Sequence, residues 1–91
     1  MAITVEFFGI PRARAGLERV DVPVKDKGAM LSEVLADLAQ RLPGFAESCM
    51  QGNRLSEHCI ASIDGTQFLG DEDVEIDDHR TIILLSADAG G

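Results

Sequence analysis

Residues 31–45, LSEVLADLAQRLPGF, decide the fold because their apolar side chains recur with the spacing of one face of a helix. Pro43 and Gly44 then end the helix. The apolar stripe consists of Leu31, Val34, Leu35, Leu38 and Leu42. Such a stripe packs on one face of another element and leaves the polar side of the helix in water. The segment therefore predicts one main amphipathic helix.

Two strand patterns precede the helix. In residues 3–7, apolar and polar side chains alternate with the period of a half-buried strand. Residues 9–16 contain Gly9, Pro11 and Gly16 and predict a turn region. Residues 17–24 resume a strand pattern, and two strands joined so closely predict an antiparallel hairpin.

The region after the helix contains less regular patterns. Residues 45–57 predict a loop or an irregular turn, and Cys59–Ile63 predicts a short strand. Asp64-Gly65 follows it as a hairpin turn signal, and Phe68 and Leu69 belong to the returning strand. The acidic residues of 71–78 predict a solvated turn, and residues 81–85 predict the last strand.

This order of elements predicts an α+β protein in which one helix lies on one face of a mixed sheet of four to five strands. The last strand is expected to lie beside the first, in the centre of the sheet, and the crossover through the helix is expected to be right-handed. This is the β-grasp plan. Residues 1–85 are predicted to form a single domain, and residues 86–91 a flexible tail that contains two glycines.

The composition limits the possible ligands and partners. The 91 residues include neither Trp nor Tyr and only 4 Phe, so an aromatic-lined nucleotide site is not expected. A formal net charge of −8 repels nucleic acid and anionic lipid and favours a protein partner with a basic surface. The segment 1–10 does not have the pattern of a signal peptide, and no apolar run reaches the roughly 18 residues of a membrane span. We expect a cytoplasmic protein.

No motif for metal binding or catalysis emerges from the chain. An EF-hand calcium loop that began at Asp71 would need Gly at its sixth position, where Ile76 stands. The four candidate zinc ligands, Cys49, His58, Cys59 and His79, do not have the paired spacing of a structural zinc site. The two cysteines are expected to be reduced and partly buried, with one disulfide as the alternative. We therefore expect no metal, no bound cofactor and no enzyme activity.

The stretch 84–91, LLSADAGG, leads from the last strand to two glycines. Glycine loses the most backbone entropy on ordering and has no side chain to pack, so the pair is not there to stabilise the fold. Extended, residues 86–91 reach roughly 20 Å, enough to enter the active site of another protein. A terminal carboxylate is ionised and unreactive as an acyl donor until it is activated, for example with AMP. The alternative is a frayed terminus with glycines that have no function.

The last strand also predicts a docking face. If Ile82 and Leu84 point toward the helix, strand alternation sends Ile83, Leu85 and Phe8 to the opposite face. Apolar side chains exposed there would mark a protein-binding surface. Alternatively, loops cover this face.

The chain resembles the ubiquitin-like sulfur carriers of the MoaD/ThiS family, which include the molybdopterin synthase small subunit. The resemblance covers the whole chain and is carried by ITVEFFG (3–9), the helix (31–45), CIASIDGTQF (59–68) and IILLSADAGG (82–91). One departure is IDDHRTI (76–82), where family members commonly have a Gly-Asp-type turn.

The resemblance implies that a separate ATP-dependent enzyme adenylates Gly91 and that a sulfurtransferase step converts the adenylate into a thiocarboxylate. Gly90 is then the narrow neighbour that lets the backbone enter the channel of the enzyme. The expected partners are this activating enzyme and a larger molybdopterin synthase subunit or another sulfur acceptor. Sulfur transfer to thiamin or another thio-metabolite, and conjugation of Gly91 to lysines of target proteins, stay open as alternatives.

Overall fold

The computed structural model describes residues 1–70 and 72–87. Its elements in chain order are β1 (Ala2–Phe7), α1 (Ile10–Ala15), β2 (Arg19–Pro23), β3 (Gly28–Met30), α2 (Leu31–Arg41), α3 (Pro43–Cys49), β4 (Met50–Gln51), β5 (Arg54–Leu55), β6 (Cys59–Ile63), β7 (Gln67–Leu69), β8 (Glu75–Asp77) and β9 (Thr81–Ser86).

The main sheet has five strands in the order β2-β1-β9-β6-β7. The hairpin partners β1 and β2 are antiparallel, as are β6 and its neighbours β7 and β9, whereas β1 and β9 are parallel. The predicted mixed sheet with its last strand beside its first is therefore confirmed. The short pairs β3-β8 and β4-β5 form separate two-stranded sheets.

The core lies between one face of the main sheet and the helices. Of the five residues in the predicted apolar stripe, the four that lie in α2 are buried. The fifth, Leu42, directly follows α2 and is half-buried. Buried strand residues alternate with less buried ones along β1 and β9. The buried apolar residues are Ile3, Val5, Phe7, Val22, Leu31, Val34, Leu35, Leu38, Phe45, Cys49, Cys59, Ala61, Ile76, Ile82 and Leu84. The predicted inward orientation of Ile82 and Leu84 is confirmed.

The start of α2 is capped by a distant segment of the chain. The Leu31 N–H donates to the Val74 carbonyl at 2.7 Å, and the Ser32 N–H donates to Asp73 Oδ1 at 2.9 Å. The Ser32 hydroxyl donates to Asp73 Oδ2 at 2.6 Å. These bonds satisfy donors that a helix leaves free in its first turn. The bonds from Ser32 lower the pKa of Asp73; the bond from the Ser32 hydroxyl has the larger effect and the bond from its backbone N–H the second. Asp73, one of the acidic residues predicted only to be solvated, therefore caps the helix.

The structure differs from the prediction in three segments. Within the predicted solvated turn at 71–78, β8 pairs with β3 and its Ile76 is buried. The turn region expected at 9–16 contains the helix α1, which has Pro11 in its first turn and ends at Gly16 in a left-handed conformation. Pro43, which was predicted to end the main helix, is also the first residue of a new helix, α3. Proline is favoured at the first position of a helix because its missing N–H needs no partner there. Within α3, Phe45 contacts Phe7 edge to face at a centroid distance of 5.5 Å.

The predicted turn at Asp64-Gly65 is confirmed between β6 and β7. Asp64 and Gly65 both have positive φ, 55° and 76°, as tight hairpin turns require. The Asp64 carboxylate also accepts the Thr81 N–H at 2.9 Å and bonds the Arg80 guanidinium at 2.8 Å. Both contacts lower the pKa of Asp64, and the bond from the Thr81 N–H has the larger effect.

Strand β9 extends one residue beyond the domain limit predicted at residue 85. Ser86 is its last residue and pairs with Cys59, and the Ala87 N–H donates to the His58 carbonyl at 2.7 Å. Residues 86 and 87 of the predicted tail thus belong to the hydrogen-bonded sheet region. Residues 88–91, which include Gly90 and Gly91, lie outside the described residues.

Candidate functional site

The face of the sheet that points away from α2 gathers the three residues predicted for docking. Ile83 and Leu85 alternate with the buried residues of β9 and are half-buried. Phe8 follows β1 directly, and its N–H donates to the Leu84 carbonyl at 2.8 Å, which extends the β1-β9 ladder by one residue. Its side chain is 45% exposed. The structure thus places the predicted set at neighbouring positions of two adjacent strands.

Two further apolar residues share this face and were missed by the sequence prediction. Ile60 of β6 lies opposite Leu85. Phe68 of β7 lies opposite Ser62, which in turn lies opposite Ile83, and the Phe68 side chain is 65% exposed. The alternation within the predicted strands contains a signal for both residues, but the register between strands was needed to assign them to a shared face. We call Phe8, Ile60, Phe68, Ile83 and Leu85 the apolar outer face.

Charged residues border the apolar outer face on one side. Glu6 of β1 lies beside Ile83 of β9, and Arg19 of β2 lies beside Glu6. An apolar centre with a charged border is the usual composition of a protein-binding surface. The arrangement suits a folded protein partner that buries the aromatic and aliphatic side chains.

The root of the predicted tail lies at the end of this same face. Ser86 follows Leu85 directly and is buried, and its hydroxyl accepts the Ile10 N–H at 2.8 Å. Phe8 and Ile10 are both more than 40% exposed and lie on either side of Gly9, where an added Cβ would clash with Ser86. The last residue of β9 therefore lies close to a segment that contains two exposed apolar residues.

The two cysteines lie in the core and away from the apolar outer face. Cys49 and Cys59 are both buried free thiols. Burial raises the pKa of Cys49 to about 12, and a hydrogen bond with Cys59 is the second-largest cause of this increase. A thiol with such a pKa is an unreactive protonated group at neutral pH.

Residues 1–70 and 72–87 contain no group of three or more His, Cys, Asp or Glu side chains that could hold a metal ion. Within the same ranges, none of the helices has the length and apolar character needed to cross a membrane.

No protein-family model matches the chain, and no curated protein matches it by sequence. Solved structures do match it over nearly its whole length. SAMP1 from Haloferax volcanii has a TM-score of 0.73 at 19% identity, with 100% of both chains covered. A Pyrococcus furiosus protein described as molybdopterin converting factor, subunit 1, has a TM-score of 0.68 at 16% identity, covering 94% of this chain and 97% of that one.

The chain has the ubiquitin-like β-grasp fold. A third β-grasp structure, Urm1 from Sulfolobus solfataricus, has a TM-score of 0.58 at 16% identity and covers 91% of this chain and 97% of its own. At these identities the likeness shows the shared β-grasp fold and leaves the chemistry to be argued from the residues of this chain.

Proposed function

We propose that the chain is a sulfur carrier whose Gly91 is adenylated and then converted to a thiocarboxylate that donates sulfur in molybdopterin, and hence molybdenum or tungsten, cofactor biosynthesis. The observation that carries the proposal is the double role of β9. This strand contributes Ile83 and Leu85 to the apolar outer face, and its last residue is the root of the segment that leads to Gly90 and Gly91.

The proposed chemistry explains the residue types at the end of the sequence. A carboxylate is a poor acyl donor, so it first attacks the α-phosphorus of ATP and displaces pyrophosphate. A sulfur donor at the oxidation level of sulfide then attacks the acyl carbon. The C–S bond of the thiocarboxylate forms as the C–O bond to AMP breaks. Gly90 and Gly91 lack a Cβ and can therefore pass through a channel that is only as wide as a backbone. The ATP site and the catalytic groups belong to the separate activating enzyme.

The apolar outer face is the proposed docking surface for the partners. Exposed Phe8 and Phe68 and half-buried Ile83 and Leu85 supply the apolar centre that a stable protein contact requires. The proposed partners are the activating enzyme, a sulfurtransferase and the large molybdopterin synthase subunit. The match to the molybdopterin converting factor subunit from Pyrococcus furiosus supports the choice of this pathway.

A second candidate function is conjugation to other proteins. SAMP1 from Haloferax volcanii is described as a small archaeal modifier protein, and its structure matches this chain over its full length. Both functions share the activated Gly91, and they differ in whether sulfur or a lysine amine attacks it. Transfer of sulfur to thiamin or another thio-metabolite uses the same first steps with a different acceptor.

Intact-mass spectrometry of the chain purified from its native host separates these functions. A sulfur carrier shows the mass increase that corresponds to replacement of one oxygen by sulfur, and fragmentation places it on Gly91. A modifier shows Gly91 in isopeptide linkage to lysines of other proteins. A variant that lacks Gly91 should lose both products, and retention of either product by this variant would contradict the proposal.

The docking surface is tested with Leu85→Asp, which places a charge in the apolar outer face. Adenylation of this variant should need a higher chain concentration to reach half its maximal rate, because the charge must be desolvated in the complex. Gln51→Asp adds the same charge at an exposed position of β4 and should behave like the wild type. A folded Leu85→Asp chain that accepts AMP at the wild-type rate would remove the docking surface from the proposal.

A further inference from the structure

The β1-β9 ladder ends in an unusual way at the root of the tail. The Phe8 N–H donates to the backbone carbonyl of Leu84. Two residues further along both segments, the N–H of Ile10, the first residue of α1, donates to the side chain of Ser86. In a parallel ladder this next bond would go to a backbone carbonyl. The Ser86 hydroxyl thus takes the place of a backbone acceptor at the point where the chain leaves β1 to begin α1.

Gly9 makes this bond possible. Its φ of 65° turns the chain away from the sheet direction, a conformation that residues with a Cβ rarely adopt. A Cβ at Gly9 would also lie 2.5 Å from Ser86 Oγ, well inside van der Waals contact. Both the conformation and the close approach therefore require glycine opposite Ser86.

Ser86 is held from both sides. On one side α1 holds its hydroxyl, and on the other side β6 pairs with it through Cys59. Among the described residues, Ser62 and Ser86 are the buried polar residues, and a buried hydroxyl requires such a partner. Among the described residues, the backbone hydrogen bond given for Ala87 goes to the carbonyl of His58, the residue before β6. The support of the backbone therefore decreases stepwise from Ser86 to Ala87.

We propose that Ser86 is a positioning residue, which together with Gly9 fixes the place and direction of the chain at Ala87, the last described residue before 88–91. This inference rests on the proposed function, because a fixed root matters when the tail must reach a distant active site while the apolar outer face is docked. With the root fixed, fewer backbone dihedrals have to be ordered as the tail enters that site.

The test compares Ser86→Ala, Ser86→Thr and the control Ser32→Ala. Ser86→Ala removes the acceptor of the Ile10 N–H, and Ser86→Thr retains a hydroxyl there. The control removes the hydroxyl that bonds Asp73 at the start of α2, away from the tail. Two quantities are measured for each folded variant: hydrogen exchange of the Ala87 amide, and the steady-state kinetics of pyrophosphate release with the adenylating enzyme that accepts the wild-type chain.

Ser86→Ala should speed exchange of the Ala87 amide and lower kcat of adenylation about 5- to 30-fold, the effect of ordering roughly one further residue. KM should change little, because the apolar outer face is intact. Ser86→Thr should restore both quantities toward the wild type, and Ser32→Ala should leave both unchanged.

Unchanged Ala87 exchange or unchanged kcat in Ser86→Ala would overturn the positioning role, as would an equal loss of kcat in Ser32→Ala. If no adenylating enzyme accepts the wild-type chain, the proposed function fails. The exchange of the Ala87 amide in the same variants then still decides whether Ser86 fixes the root.

Discussion

Leu84 and Leu85 are adjacent in β9 and point to opposite faces, so truncating each to alanine separates the core from the apolar outer face. Leu84 is fully buried, and Leu85 is half-buried. Leu84→Ala should lower the free energy of unfolding by about 2–5 kcal/mol, because it removes buried methyl groups and leaves a cavity. Leu85→Ala should lower it by roughly 1 kcal/mol, since about half of a leucine's transfer free energy is lost and solvent fills the space.

These losses are large relative to the total stability of a domain of this size, which is about 5–15 kcal/mol. A loss of 3 kcal/mol in Leu84→Ala corresponds to a decrease in Tm of roughly 12–24 °C. The chain contains no Trp and no Tyr, so unfolding is best followed by far-UV circular dichroism in urea rather than by intrinsic fluorescence. The slope of free energy against urea should be the same for both variants. Equal losses of stability in the two variants, or a larger loss in Leu85→Ala, would refute the assignment of the two faces.

Three further predictions concern acid stability, thiol reactivity and glycine packing. The folded state lowers the pKa of Asp64 and Asp73, so the stability that they contribute is complete above the unfolded-state pKa of about 4 and is lost as pH falls through the folded pKa. Asp64→Asn and Asp73→Asn should each flatten the acid side of a plot of Tm against pH. Cys49 should resist iodoacetamide at pH 8 until urea unfolds the chain, because its thiol is buried and its raised pKa keeps it protonated. Gly28→Ala should destabilise the fold because its Cβ would lie 2.2 Å from a backbone oxygen of β8, whereas Gly70→Ala meets nothing within 4 Å and should be neutral.

Each of these predictions has an outcome that contradicts it. Asn variants with the same acid slope as the wild type would show that the two carboxylates do not contribute to acid stability. Alkylation of Cys49 at the same rate in the folded and unfolded chain, read by peptide mapping, would contradict its burial. Equal melting temperatures for the two glycine variants would contradict the close approach of β3 and β8.

The sequence predicted the elements in which local periodicity and tertiary environment agree. The spacing of apolar residues in the sequence shows both the helical stripe of α2 and the alternation along β9. The inward orientation of Leu84 could therefore be predicted. The Asp64-Gly65 turn followed from its positive-φ residue types. By contrast, α1 was missed because only Pro11 among its six residues is buried, which leaves no helical stripe to detect.

The remaining features depend on contacts between residues far apart in the chain. Asp73 caps a helix that begins about 40 residues earlier, so its role could not be separated from that of the other acidic residues around it. Ile60 joins the apolar outer face only through the register of β6 against β9. Ser86 and Ile10 are separated by 76 positions, and a serine at a strand end carries no periodic signal.

The central position of β9 also has a consequence for the order in which the molecule becomes functional. Until β9 inserts, the β1-β2 and β6-β7 hairpins are not joined to each other in the sheet. The pairing of β9 with β1 has a long sequence separation and therefore closes a large loop, a step that is expected late in folding. Insertion completes the apolar outer face and fixes Ser86 in the same event. An incompletely folded copy therefore lacks both the complete apolar outer face and the fixed Ser86. If the proposed activating enzyme requires both features, it would consume ATP only on folded chains.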